Sequence, residues 1–545
     1  MTHIAVPGST ATRPSTGWPQ WWTRPVVAAT LLTGGLSLVW ALWLARDAGD
    51  LAAQYAWTAF VRDHPGSAYN LSWYGGMHPA SYSVLSPYLM ALIGVRTTGV
   101  VAAVASTALA AQLLARSGVR QPLPSILWLS VAVWLNLAAG RVTYLLGLAV
   151  ALLAVVVLLD RRPRPVLAAL LGAVATLCSP VAGLFIEVFA AALFLTGRRR
   201  PAYLMAAGPP VVIGVTALLF PFSGVQPFHW YSAVPTLAAA VAVAALVPRD
   251  WSTVRAGAWV YAAGVALCWV LPTPIGSNVE RLLMLAGAAV LMCAEAARER
   301  SGWPRRARYA AMVVMAVWTV VHPVVNIVNT APVTAGVADA RPLIDELQRL
   351  AARQVRVEVV PLRSHWEAAG LAPYVNLARG WNRQADVARN PIFYQDQLTA
   401  EDYRAWLREW SVGYVVLSAD EPDDAGIAEA KIITAGHPWL SLVWADADWR
   451  VYRVDGVEPL ATPPATVTSD GPAAITLDVP RPGAVLIRIA WSPWLAIRGV
   501  VDDGASHACL AQHGRWTELS TPTAGTFTIE ARYTLDRGTA CPTTP

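Results

Sequence analysis

Eleven apolar stretches dominate the first 330 residues, near 25–45, 97–115, 122–139, 142–159, 165–179, 181–196, 202–221, 233–248, 256–272, 279–296 and 308–328. Crossing the roughly 30 Å of hydrocarbon in a bilayer takes about 20 residues, and a segment in that medium satisfies its backbone only as a helix or a closed barrel. The chain therefore reads as a polytopic α-helical membrane protein of about 11 transmembrane helices. Its 545 residues are 55% hydrophobic and 14% charged, whereas soluble domains carry about a quarter charged residues.

The net charge of +6 hides an alternation between loops. Arg116 and Arg120, Arg161, Arg162 and Arg164, Arg198 to Arg200, Arg249 and Arg255, and the run from Arg298 to Arg308 fall between every second pair of apolar stretches. The other loops carry Arg46, Arg62, Arg141 and Arg281, offset by Asp47, Asp50, Asp63 and Glu280. Basic loops stay in the cytoplasm, so residues 1–24 are expected to be a cytoplasmic tail. An odd number of spans then puts the C-terminal region outside. This distribution is a membrane topology and not a nucleic-acid footprint. The tail lacks a small-residue cleavage site, so the first apolar stretch is expected to be a retained helix.

Residues 25–330 thus form a transmembrane domain whose first outer loop, 46–96, is its longest. Residues 331–455 alternate helical and strand patterns: RPLIDELQRLAARQ, VRVEVVPL, a loop-like ARGWNRQADVARNPIFYQDQLT, EDYRAWLREW and VGYVVLS. A small α/β domain is expected there. From 456 to 545 the strands AAITLDV, AVLIRIAW and TFTIEARYTL, separated by Gly and Pro turns, suit an antiparallel β-sandwich. Cys509 and Cys541 lie in this outer region, where a disulfide and two free thiols are both open. The sequence holds no Walker loop, GxGxxG or CxxC pair.

The polar features of interest fall on the outward side. Asp47 and Asp50 stand at helical spacing where the first span ends, and the loop after them carries His64 and the charge-free segment YNLSWYGGMHPASYSVLSPY, with Trp73, Tyr74 and His78. Other outer loops bring Arg141, Tyr144, His229, Glu280 and Arg281. Acids, arginines and aromatics gathered at one water–lipid boundary suit a substrate with a phosphate, a sugar and a lipid tail. Each also has a structural reading: acids at a helix end, aromatic anchors at headgroup depth, and a local Glu280–Arg281 ion pair. Glu187 sits in mid-span, where an acid is expensive and faces protein.

A first span ending in RDAGD, a long aromatic outer loop with YNLSWYGGMHP, about eleven spans and an external C-terminal domain resemble the C-type (GT-C) glycosyltransferases. The segment from HWEAAGLAPY to EDYRAWL also resembles a recurrent domain of high-GC bacterial membrane proteins. The GT-C resemblance implies transfer of a sugar from a polyprenyl-phosphate donor to an envelope glycan, lipid or protein acceptor. It implies that Asp47 or Asp50 is the general base or, if a divalent cation takes part, its ligand. Arg141 and Arg281 would face the departing phosphate. His64, Trp73, Tyr74, His78, Tyr144, His229 and Glu280 would line the substrate. The YNLSWYGGMHPASYSVLSPY segment is then expected to lie along the outer membrane surface as a partly helical, partly looped lid, with Gly75–Gly76 letting it approach the acids and His78 pointing into the donor cavity. Membrane lipids are the expected surroundings. A secondary transporter or flippase of an envelope precursor, or a noncatalytic envelope-assembly scaffold, fits the span pattern too. The topology is checked by fusing a reporter active only in the cytoplasm to the C-terminus, which is expected to be silent.

Overall fold

The computed structural model describes residues 24–44, 49–119, 121–222, 224–296, 303–331, 340–395, 397–498, 508–535 and 537–542. The N-terminal tail up to residue 23, Arg46, Asp47, Arg120, Arg298 and Arg300 lie outside the described residues. The chain divides into two compact units. One comprises residues 1–45, 96–214 and 228–325; the other comprises 46–95, 215–227 and 326–545.

The first unit is helical. Each apolar stretch forms a helix, beginning with Arg24–Val39 and ending with Arg305–Thr330. Among the described residues, five helices are long and apolar enough to cross a membrane: Arg24–Leu44, Val95–Arg116, Arg199–Leu219, Ser252–Val270 and Arg305–Thr330. Five shorter apolar helices lie among them, such as Val142–Leu158 and Pro180–Leu195. Their outward faces carry bare aliphatics, with Leu31, Leu170, Val270 and Val314 all more than half exposed. A helix that is apolar all round, with its outer face uncovered, belongs in lipid. The chain is a helical membrane protein with a C-terminal β-sheet region.

The second unit holds the sheets. Strands β1 (Arg356–Val359), β2 (Asn376–Leu377), β3 (Val412–Ser418), β4 (Leu440–Ala445) and β5 (Trp449–Val454) form one sheet in the order β2-β1-β3-β5-β4. The β2, β1 and β3 strands run parallel, with β5 antiparallel to β3. Parallel neighbours need crossovers, supplied by the helix Trp366–Leu371 before β2 and by Arg383–Arg389 and Ala400–Glu409 before β3. The stretch read as loop-like thus contains a helix. Its start is set by Asn382, whose side chain accepts from Ala385 N at 2.9 Å, and asparagine is a preferred N-cap.

Beyond residue 460, strands β6 (Thr466–Asp470), β7 (Ala474–Val479), β8 (Gly483–Ala490), β9 (Ala496–Arg498), β10 (Cys509–His513), β11 (Trp516–Thr521) and β12 (Gly525–Glu530) form two antiparallel sheets, β10-β11-β8 and β6-β7-β12-β9. Alternate residues Ile475, Leu477, Val485, Ile487, Leu519, Phe527 and Ile529 share one core, as period-2 patterning demands. Cys509 and Cys541 form a disulfide.

The first outer loop folds with these sheets, so its assignment to the helical domain is corrected. Of residues 69–88, expected on the membrane surface as a lid, 69–79 are buried in the second unit. The chain after Ser67 runs between the two sheet systems and bonds to both: Ala68 N donates to Ala531 O, Leu71 N to Pro472 O, Leu377 N to Ser72 O, and Ala490 N to Gly75 O. A charge-free, Tyr- and Trp-rich stretch suits a site where every side chain is covered. The glycine pair serves close approach. A Cβ on Gly75 would meet the Arg356 guanidinium and the Trp410 and Trp516 rings at 3.2–3.3 Å, and one on Gly76 would lie 2.4 Å from the Tyr69 ring. Gly76 also holds φ +135°, a conformation that disfavours side chains. Gly76→Ala is expected to destabilise the outer unit by about 3 kcal/mol. Thermal unfolding of the purified protein checks this, and an unchanged profile would contradict the packing.

Candidate functional site

Inside the apolar helical unit, charged and polar groups collect in one place. Glu280 opens the helix Glu280–Ala296 after a 3-10 turn at Gly276–Val279 and is 2% exposed. Its carboxylate accepts a short hydrogen bond from Ser232 Oγ, and its other oxygen lies 3.6 Å from His322 Nε2. Arg141 and Arg281 both exert their charge on Glu280. Arg141 directly precedes the helix Val142–Leu158 and donates to Asn136 Oδ1 at 3.2 Å. The Arg281 guanidinium lies 5.4 Å from the centre of the buried Tyr144 ring, and Tyr261 Oη donates to Val279 O at 2.8 Å. Of the residues singled out by sequence, Arg141, Tyr144, Glu280 and Arg281 are therefore neighbours. Ser232, His322 and Tyr261 join them and were not anticipated. His229 stands apart, exposed at the start of the helix Trp230–Leu246, with its ring stacked on Tyr231 at 5.3 Å.

The remaining candidates belong to the second unit. Asp50 begins the helix Asp50–Asp63, and its carbonyl accepts from Gln54 Nε2 at 2.9 Å. Gly49, just before it, packs against Thr330 and the Ser364 carbonyl. His64 terminates the same helix against Phe60. Trp73, Tyr74 and His78, expected to line substrate, are core residues. Trp73 packs between Trp57 and Gly380. Tyr74 Oη donates to Gly380 O at 2.9 Å. His78 Nδ1 lies 2.7 Å from Ala68 O and its Nε2 lies 3.0 Å from Ser492 Oγ, so both ring nitrogens are occupied by protein. Burial pushes its pKa down to about 4.

A second charged assembly escaped the sequence reading. Arg379 is buried against three carboxylates: Nε donates to Glu358 Oε1 at 2.7 Å, Nη2 donates to Glu429 Oε2, and Asp386 lies 3.8 Å away. Phe393 covers the guanidinium at 3.7 Å. Tyr403 donates to Glu429 and Tyr394 to Asp386, each at 2.7 Å. Burial raises the Glu358 carboxyl well above the usual range and Arg379 partly offsets it, while the Glu429 charge adds to the rise. Beside this assembly, burial raises Glu367 to about 8 and lowers His365 to about 3. Their 3.9 Å approach is thus a contact of neutral groups at neutral pH. Among the described residues, no group of three or more His, Cys, Asp or Glu is placed to hold a metal ion.

Residues 462–545 match a domain of unknown function (DUF8823). No curated protein matches the chain. A cryo-EM structure of the arabinofuranosyltransferase AftD from Mycobacteria is similar at 16% identity and a TM-score of 0.44, covering 86% of this chain and 41% of that one. A mutant of the same enzyme is similar at 14% identity and a TM-score of 0.43, covering 96% of this chain and 61% of the other.

His78 makes the outer unit sensitive to acid. Its folded pKa near 4 lies below the ordinary 6.5, so its contribution is present above pH 6.5 and is lost as pH falls toward 4. His365 acts in the same direction. Glu367, raised from 4.5 to about 8, acts in the opposite one, because its contribution is present below pH 4.5 and fades as pH rises to 8. The comparison is with His78→Gln, which keeps a polar group near the Nε2 position and removes the titration. The variant is expected to lose less stability than the parent between pH 6.5 and 4, by on the order of 3 kcal/mol. Unfolding measured across that range checks it.

Proposed function

We propose that the chain is a membrane glycosyltransferase that moves a sugar from a polyprenyl-phosphate donor to an envelope glycan, lipid or protein acceptor on the outer face of the membrane. The carrying observation is the Glu280–Arg141–Arg281–His322 group within an apolar helical bundle. Ionisable residues at such depth are expensive and mark substrate paths. On this reading the eleven helices all cross the membrane, the N-terminus is cytoplasmic and the second unit is extracytoplasmic.

Arg141 and Arg281 hold the donor phosphate, since guanidiniums bind phosphate oxygens bidentately and offset the charge that grows on the leaving group. Glu280, already engaged by Ser232 and His322, positions the arginines. The base that takes the acceptor proton is Asp50 or Asp47, as the GT-C resemblance implies. A polyprenyl phosphate departs readily, so a carboxylate within hydrogen-bond reach of the acceptor hydroxyl completes an inverting displacement.

The test is sugar transfer by purified, lipid-reconstituted protein. Asp50→Asn or Asp47→Asn is expected to cut turnover by about 10²–10⁴ with melting unchanged, and Arg281→Ala is expected to raise the donor KM. Full transfer in a variant lacking both aspartates would overturn the assignment of the base. Movement of the lipid across the bilayer without any transfer would favour a carrier in place of an enzyme.

A further inference from the structure

The carboxyl ends of parallel strands are where open α/β sheets bind ligands, and in this sheet β1 and β3 are parallel neighbours. The loops leaving their ends are held together by the Leu362–Pro422 bridge and by Asp423 N donating to Pro361 O. Between these loops and the end of the last long helix lies a cavity of about 60 Å³, lined among others by Asn329, Ser364 and Asp420. About 10–15 Å³ of such space holds one water, so there is room for an ion with a few waters.

Two polar side chains in its wall are more than nine-tenths buried, Asp420 at 8% and Ser364 at 2% exposed. Among the described residues, both carboxylate oxygens of Asp420 and the hydroxyl of Ser364 lack a hydrogen-bond partner. Buried polar groups are otherwise nearly always paired, and a carboxylate out of water needs a counter-charge. Arg363, on the lining, does not serve: it is bound to Glu421 at 2.6 Å, in a pair that is largely exposed. Asp420 and Ser364 offer only hard oxygen donors, which suit a partly hydrated divalent cation and not a thiolate- or imidazole-seeking metal.

We propose that Asp420 and Ser364 form a binding site for one such cation of the Mg²⁺ or Mn²⁺ class, with waters completing the coordination. The cation would tie the β1 and β3 loops together. The site is independent of the transferase reading, because it needs no sugar donor and is tested by binding alone.

Mn²⁺ is the probe. Full-length protein in detergent, stripped with chelator, is titrated and bound ion is counted by electron paramagnetic resonance, with melting followed in parallel. The expected result is a saturable site whose loading raises the melting temperature. Asp420→Asn should abolish that site, Ser364→Ala should weaken it about tenfold or more, and Asp50→Asn should leave it in place. Should Asp420→Asn fail to fold, the Ser364→Ala titration decides. No saturable binding in the parent protein, or binding unchanged by the Asp420 and Ser364 substitutions, would overturn the proposal.

Discussion

The outer unit depends on one burial: the uncharged strap from Ser67 to His78 laid into its core. This strap supplies backbone partners to both sheet systems, through Ser72 to the β2 end and through Gly75 to β8. It also closes over Arg356, a guanidinium buried without a carboxylate. Arg356 donates to the carbonyls of Trp410 and Arg488 and lies 5.3 Å from the Trp516 ring. Burial, reinforced by the nearby Arg488 charge, lowers its pKa to about 9. Carbonyl dipoles and ring faces are the counterpart available to a buried cation with no acid beside it. The strap can approach that group only because Gly75 and Gly76 have no side chains. Loop, sheet and sandwich therefore form one cooperative body, although more than 400 residues separate Tyr69 from its partner Ala490.

Charge is buried in two different ways. In the helical unit, Glu280 meets Arg141, Arg281 and His322 in surroundings with few polar groups. In the outer unit, Arg379 meets Glu358, Glu429 and Asp386, and Tyr403, Tyr394 and Asn390 hydrogen-bond to those carboxylates. Phe393 roofs the second assembly and its tyrosines bond to acids, while Arg379 Nη1 and Glu358 Oε2 have no hydrogen-bond partner among the described residues. A buried network of this kind fixes the geometry of a core, since removing one member strands a buried charge. The first assembly sits among the apolar helices, and the proposed chemistry is placed there.

How much was legible follows from the range of the interactions. The helices lie within a few residues of the apolar stretches, since hydrocarbon length and backbone satisfaction are local demands. The sandwich strands were legible for the same reason, through alternation at Ile475, Leu477 and Val479. The strand in VRVEVVPL was legible too, but its burial was not: Arg356 and Glu358 alternate with valines, yet the whole strand is buried, because a sheet with crossover helices is covered on both faces. The four residues Arg141, Tyr144, Glu280 and Arg281 were found by their place at span ends. Ser232, His322 and Tyr261 carry no comparable signal, being single polar residues in apolar runs. The strap was misread because aromatics with Gly and Pro also describe an interfacial loop, and only pairing with distant strands tells the two apart.

That misreading changes what evidence from the loop can mean. Trp73, Tyr74 and His78 were candidates for substrate contact, yet each is almost fully buried and bonded or packed within the outer unit. A substitution at any of them acts first on stability, so lost activity there does not by itself identify a substrate contact. Asp50 differs. It stands in the first turn of its helix, partly buried, and Asp→Asn removes a proton acceptor while preserving volume. Arg281 lies in the helical unit, its guanidinium 5.4 Å from the centre of the Tyr144 ring. Function is therefore best sought at positions where chemistry can change without disturbing the core, and the loop that first drew attention is the part of the chain least suited to that.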